Sequence, residues 1–221
     1  MKIISFCNNN ARTGKTTTAF NISLKFSTKG LKTLAIDTDP KFDLTTNMFE
    51  NKNSQAVQDY ELLDKNTKFE PTTINDNLDT IRVITGKRGY GRYKALKDYL
   101  LTLEDKYDVI VIDTPPTFHE YLPSVLFASH IYVVTKDDWK EVIGIKSIID
   151  IARDLDKKIS GIILTMKENH QKPKFGDFEK LLDEYQLKTA IRKDTTFSEN
   201  EKDYNNLADE IIKKEGLKWK K

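Results

Sequence analysis

Between Cys7 and Thr18 the chain reads Cys-Asn-Asn-Asn-Ala-Arg-Thr-Gly-Lys-Thr-Thr-Thr, and Gly14-Lys15-Thr16 has the composition of a phosphate cradle. Backbone N–H groups of such a loop, and of the helix that follows it, point at a phosphate chain. In that chemistry Lys15 reaches the β- and γ-phosphates and the Thr16 hydroxyl ligates Mg²⁺. The usual loop has Gly where this chain has Asn9, and Asn tolerates unusual backbone angles better than most residues. Alone, the tripeptide fits an incidental helix N-terminus equally well. Two acidic positions tip the balance. Asp113 follows the apolar run Val-Ile-Val-Ile, and Asp37-Thr38-Asp39-Pro40 follows another. A carboxylate at the C-terminal end of a parallel strand faces the ligand crevice and can hold Mg²⁺ directly or through water. One strand-end Asp is commonly just a helix N-cap. Three such features on three strands point to nucleotide binding.

The elements that must position these residues are legible as short apolar runs separated by amphipathic stretches. The runs are Lys2–Phe6, Thr33–Ile36, Ile81–Thr85, Val109–Ile112, Ile131–Val134 and Gly161–Leu164. Several lack alternation, as expected of parallel strands buried on both faces. Thr16–Lys29, Tyr93–Tyr107, Glu141–Leu155 and Phe175–Tyr185 carry apolar residues at helical spacing. The order predicts an α/β fold, a mostly parallel twisted sheet with helices on both faces. Residues 50–79 read as a polar excursion from the sheet with a short helix near Gln55–Leu63, so a single domain over 1–221 is expected. The 221 residues are enough to bury a core without disulfides, and the lone Cys7 excludes a disulfide framework or a cysteine zinc cluster. No apolar run approaches the roughly 18 residues of a membrane span, and the N-terminus lacks a signal-peptide pattern. These features predict a soluble, cytoplasmic protein.

Asn8 to Thr18, Asp37 to Thr45, Tyr107 to Pro116, Leu164-Thr165-Met166 and Ile191-Arg192 together resemble the ParA family of DNA-partition ATPases. That deviant-Walker group also contains the MinD cell-division ATPases. The resemblance covers nearly the whole chain and fits the small type without an N-terminal DNA-binding domain. It implies a P-loop NTPase fold, ATP and Mg²⁺ as cofactors, and an ATP-bound homodimer on nonspecific double-stranded DNA, hence nucleoid association. A centromere-binding adaptor that stimulates slow hydrolysis is also implied. Carried over by position, Asn10, Ala11, Arg12, Thr13, Gly14, Lys15, Thr16 and Thr17 form the nucleotide loop. Asp39 matches the carboxylate that orients the attacking water, and Asp37 and Asp113 match acidic residues around the metal that Thr16 ligates.

The loop departs from the family's Lys-Gly-Gly-x-Gly-Lys-Thr. Asn10 replaces the signature lysine that crosses the dimer interface, and Ala11 and Arg12 replace glycines. A cation supplied in trans stabilises transferring-phosphoryl charge. Arg12 could supply it from two residues on, the reading favoured here. Otherwise the protein is a slow or non-catalytic nucleotide-dependent binding module, or Arg12 is a solvated loop residue. Lys41 stands where the family has Gln. The net charge is only +2, so a DNA face must be local. Arg192 and Lys193 match a family surface for DNA, and the basic tail 213–221 adds Lys218, Lys220 and Lys221. Charge runs are also commonly solvated helix ends. His119, His130 and His170 lack metal-ligand spacing. The stripe Val142, Ile145, Ile148, Ile149, Ala152 reads as core, and the short polar tail argues against a MinD-like membrane helix, which leaves a membrane-surface positioning ATPase as the second alternative.

Overall fold

The computed structural model describes residues 1–49, 59–61, 70–84, 98–116, 128–168, 176–193 and 196–218. Among these residues eight strands form one sheet: β1 (Lys2–Cys7), β2 (Thr33–Asp37), β3 (Asp59–Glu61), β4 (Thr72–Asn75), β5 (Leu78–Ile84), β6 (Val109–Asp113), β7 (His130–Lys136) and β8 (Ile159–Thr165). The order is β3-β5-β2-β6-β1-β7-β8, every neighbour parallel, with β4 antiparallel against β5. The helices are α1 (Lys15–Thr28), α2 (Asp43–Phe49), α3 (Val142–Asp154), α4 (Gly176–Tyr185) and α5 (Phe197–Glu215). Residues 98–102 are also helical, and a 3₁₀ turn, Trp139–Glu141, leads into α3.

Two-residue periodicity sorts the strand side chains between the two faces. Val109 and Val111 join Ile4, Phe6 and Val134 in a core beneath α1 and α5, the latter through Tyr204, Leu207, Ala208 and Ile211. Ile110 and Ile112 point the other way, with Leu34, Ile36, Ile81, Val83, Leu100 and Leu103. Val133 and Ile162 meet α3 through Ile145, Ile148, Ile149 and Ala152, and α4 through Phe178. The α3 stripe is therefore core, with Val142 partly buried at its margin. Burial on both faces explains why the central strands read as unbroken apolar runs.

Two expectations change. Part of the polar excursion 50–79 belongs to the sheet, since β3, β4 and the start of β5 lie within it. Of these, β4 is an edge strand, and such a strand buries little: in Thr72–Asn75 only Ile74 is buried. The helix expected near Gln55–Leu63 is contradicted at Asp59–Glu61, which pairs in parallel with Arg82–Ile84; its remainder lies outside the described residues. Residues 93–97, Thr85 and Phe175 lie outside them too.

Candidate nucleotide and metal site

Parallel register brings the C-terminal ends of three strands level. Phe6 of β1 pairs with Asp113 of β6, and Asp113 with Asp37 of β2. The loop from Asn8 to Gly14 leaves β1 at this edge and enters α1. Gly14 precedes the helix at φ 88, a left-handed conformation that glycine adopts without a Cβ clash. A Cβ there would lie 3.4 Å from Thr165 Cγ2, so the loop also rests closely on β8. Arg12, standing where the family has glycine, takes φ 60.

Threonines at the strand ends lace the edge together. Thr114 Oγ1 donates to Phe6 O at 2.7 Å, Thr38 Oγ1 to Asp113 O at 2.6 Å, and Thr165 Oγ1 to Thr13 O at 2.8 Å. Asn8 Nδ2 donates to Val134 O at 2.7 Å, while Asn8 Oδ1 accepts from Asn10 N at 2.9 Å. A short threonine or asparagine just past each apolar run was the signal for these bonds. Their partners depend on register, which the sequence alone does not display.

Within this frame Lys15 is buried, and its Nζ donates to Asn10 O at 2.9 Å. Burial lowers the Lys15 pKa from its ordinary value, while the charge of Asp113, and then of Cys7, Asp39 and Glu141, works to restore it. Asp113 is fully buried, and neither carboxylate oxygen has a hydrogen-bond partner. Burial, reinforced by Asp37, holds its carboxyl well above the usual range, against the pull of the Thr16 hydroxyl and Lys15. Asp37 differs. Its Oδ2 accepts from Thr45 N at 2.9 Å and Thr45 Oγ1 at 3.0 Å, and its Oδ1 from Asp39 N at 3.2 Å. Burial still raises it to about 6. Asp39, half-buried, accepts from Lys41 N at 3.0 Å.

Buried polar groups are normally hydrogen-bonded, so a partnerless carboxylate beside a lysine and a threonine marks a place for a ligand. The donor set is all oxygen, with Thr16 and Asp113 foremost and Asp37 behind, as a hard divalent cation such as Mg²⁺ requires. The residues present fit that ion together with a polyphosphate on the loop. Among the described residues, no group of three or more His, Cys, Asp and Glu could hold a metal by itself.

The remaining predicted residues fall in different places. Thr13 is buried, Asn10 and Thr16 half-buried, and Ala11, Arg12 and Thr17 exposed. Arg12 makes no hydrogen bond or ion pair with any described residue. Asn10 turns inward, and its Nδ2 donates to Glu141 Oε2 at 2.8 Å. Glu141 is buried on the 3₁₀ turn and was not anticipated. Gly144 admits this contact, since a Cβ there would lie 3.4 Å from Asn10 Nδ2. Far along the chain, Arg192 is bidentate on Asp203, with Nε 3.0 Å from Oδ2 and Nη2 2.9 Å from Oδ1, and Nη1 lies 3.6 Å from Glu199. Lys193 pairs with Glu168 at 2.7 Å. Lys218 is exposed; Lys220, Lys221, His119 and His170 lie outside the described residues. His130 pairs with Glu215 at the opposite end of the sheet.

The family model AAA_31, an AAA domain, matches residues 1–165. The virulence plasmid ParA family protein pGP5-D of Chlamydia psittaci is 26% identical over 222 residues, covering 90% of this chain and 83% of that protein. The sporulation initiation inhibitor Soj of Bacillus subtilis is 27% identical over 184 residues, covering 75% of this chain and 72% of Soj. Among solved structures, a putative plasmid partition protein from Borrelia burgdorferi bound to AMPPNP superposes with a TM-score of 0.76 at 22% identity, covering 96% of this chain and 99% of that one. The fold is thus the P-loop NTPase fold shared by partition and MinD proteins. The chain belongs to the AAA_31 family of AAA domains, and its relatives include Soj and ParA-family partition proteins.

Proposed function

We propose that this protein is a DNA-partition ATPase that binds and hydrolyses Mg·ATP at the strand-end cluster. The carrying observation is Asp113, the last residue of β6, fully buried with no hydrogen-bond partner for either carboxylate oxygen. Register sets that strand end beside β1 and the loop leading to Lys15 and Thr16. Lys15 binds the β- and γ-phosphates, the amides from Ala11 to Thr17 wrap the phosphate chain, and Thr16 and Asp113 hold Mg²⁺ with Asp37 behind them. When bound, Mg²⁺ neutralises phosphate charge and orients the γ-phosphoryl group. Asp39 orients the attacking water, since phosphoryl transfer needs chiefly positioning and charge stabilisation. Closing two copies over the nucleotides brings Arg12 to the partner's phosphates, and the dimer sits on nonspecific DNA until a centromere-binding adaptor stimulates turnover.

A second reading, a nucleotide-dependent binding module with very slow turnover, is favoured by Asn10. Its side chain is tied to Glu141 inside its own subunit, leaving Arg12 as the loop's exposed cation among the described residues. Asp39→Ala tests the first reading. Turnover should fall at least about tenfold while ATP-dependent dimerisation, followed by light scattering, persists. Unchanged turnover in that variant moves water orientation to another residue.

A further inference from the structure

Phe42 stands three residues past Asp39 with φ 54. A bulky side chain in the left-handed region is a backbone outlier, and it persists only where the surroundings over-determine it. Here they do so from two directions. Phe42 N donates to Asp39 O at 2.9 Å, and Phe42 O accepts from Thr46 N at 2.9 Å. Over the ring lies the Arg82 guanidinium, its Cζ 5.0 Å from the ring centroid. Arg82 comes from β5, where register sets it opposite Asp37. Its Nε donates to Thr45 Oγ1 at 2.7 Å, and that hydroxyl is also bonded to Asp37.

We propose that Arg82 is a positioning residue for Asp39, acting through the strained turn at Phe42. The inference rests on the reading of Asp39 as the water-orienting group. One flat guanidinium covers the Phe42 ring and grips the first turn of α2, so it fixes both ends of the segment Phe42–Thr45. That segment closes the Asp39–Phe42 turn, whose Lys41 N–H holds one Asp39 oxygen and leaves the other to accept from a water. Lysine has neither the flat face nor the Nε donor, so charge alone does not replace Arg82. Glycine at position 42 adopts the same φ without strain and needs no such cover.

The experiment compares Arg82→Met, Arg82→Lys, Phe42→Gly and the double variant Arg82→Met/Phe42→Gly in the full chain. Two readouts are taken: hydrogen exchange at the Phe42, Thr45 and Thr46 amides, and steady-state ATP turnover. Arg82→Met and Arg82→Lys should speed exchange at these amides and lower kcat roughly ten- to a hundredfold, with KM for ATP within about twofold. Phe42→Gly should remain near the parent in kcat. The double variant should regain part of the kcat lost in Arg82→Met, because glycine relieves the strain at position 42 but not the lost bond to Thr45 Oγ1. General destabilisation would produce no recovery. Unchanged exchange in both Arg82 variants overturns the proposal. So does a loss of kcat that Phe42→Gly fails to restore even in part, or full activity in Arg82→Lys, since Arg82 would then act by its own charge. A parent without turnover sinks the ATPase reading alone, and the exchange data still decide whether Arg82 holds the turn.

Discussion

Asp113 keeps two carboxylate oxygens in the interior with no hydrogen-bond partner, an arrangement that favours a ligand over stability. Without a cation, burial penalises its charged form, so Asp113→Asn should stabilise the free protein by about 1–3 kcal/mol at pH 7. The sign follows from linkage. A carboxyl whose pKa is higher folded than unfolded withdraws stability as pH rises above its unfolded value, near 3.8. The advantage of Asn should therefore grow from about pH 4 upward and vanish below it, where both states carry the proton. Denaturant titrations of the two proteins across pH measure this, and the same variant should lose the gain in ATP affinity that Mg²⁺ confers. Equal stability at pH 4 and pH 7 would show that Asp113 is accommodated without a ligand. At this scale the sequence already displayed Lys15, Thr16, Asp37, Asp39 and Asp113. Glu141 and Arg82 were hidden because each matters through a neighbour remote in the chain, Asn10 in one case and Phe42 in the other.

Among the elements, α5 carries a local signal that owes nothing to the site. Thr196 Oγ1 accepts from Glu199 N, and the Glu199 side chain accepts from Thr196 N at 3.1 Å, a reciprocal capping box. Thr196→Ala should cost about 1 kcal/mol of stability in urea denaturation. Because the bonds lost are confined to the cap residues from Thr196 to Glu199, ATP affinity should stay within about twofold of the parent. A large loss of affinity would mean that α5 sets the loop's geometry. The buried strands β1, β2, β6, β7 and β8 were legible because apolar side chains cover both their faces. Strand β3, three residues long, and β4 were not. Strand β4 is an edge strand with only Ile74 buried and reads as polar loop, and the opening of β5 buries Thr80 as well as Leu78 and so lacks an apolar run. Helix α5 escaped the apolar-spacing reading for a related reason: its core face is interleaved with Lys, Glu, Asp and Asn, and Tyr204, Leu207, Ala208 and Ile211 form a narrow stripe.

For the whole molecule, the proposed DNA face has to be reconciled with the ion pairs. Arg192 is chelated by Asp203 and Lys193 is paired with Glu168, so each must release a carboxylate to meet a phosphate, whereas Lys218 is exposed. Lys218→Ala should lower the slope of log affinity for duplex DNA against log salt by roughly one, with no change in sequence preference. Arg192→Ala should lower thermal stability as well as DNA binding, and identical binding at every salt concentration would leave Arg192 as a brace between β8 and α5. None of this matters unless the strand-end cluster takes Mg·ATP, and calorimetric titration of ATP tests that most directly. The account predicts saturable binding that strengthens with Mg²⁺ and weakens at least about tenfold in Lys15→Ala, with circular dichroism unchanged. Binding of similar strength in the parent and in Lys15→Ala, indifferent to Mg²⁺, would contradict it.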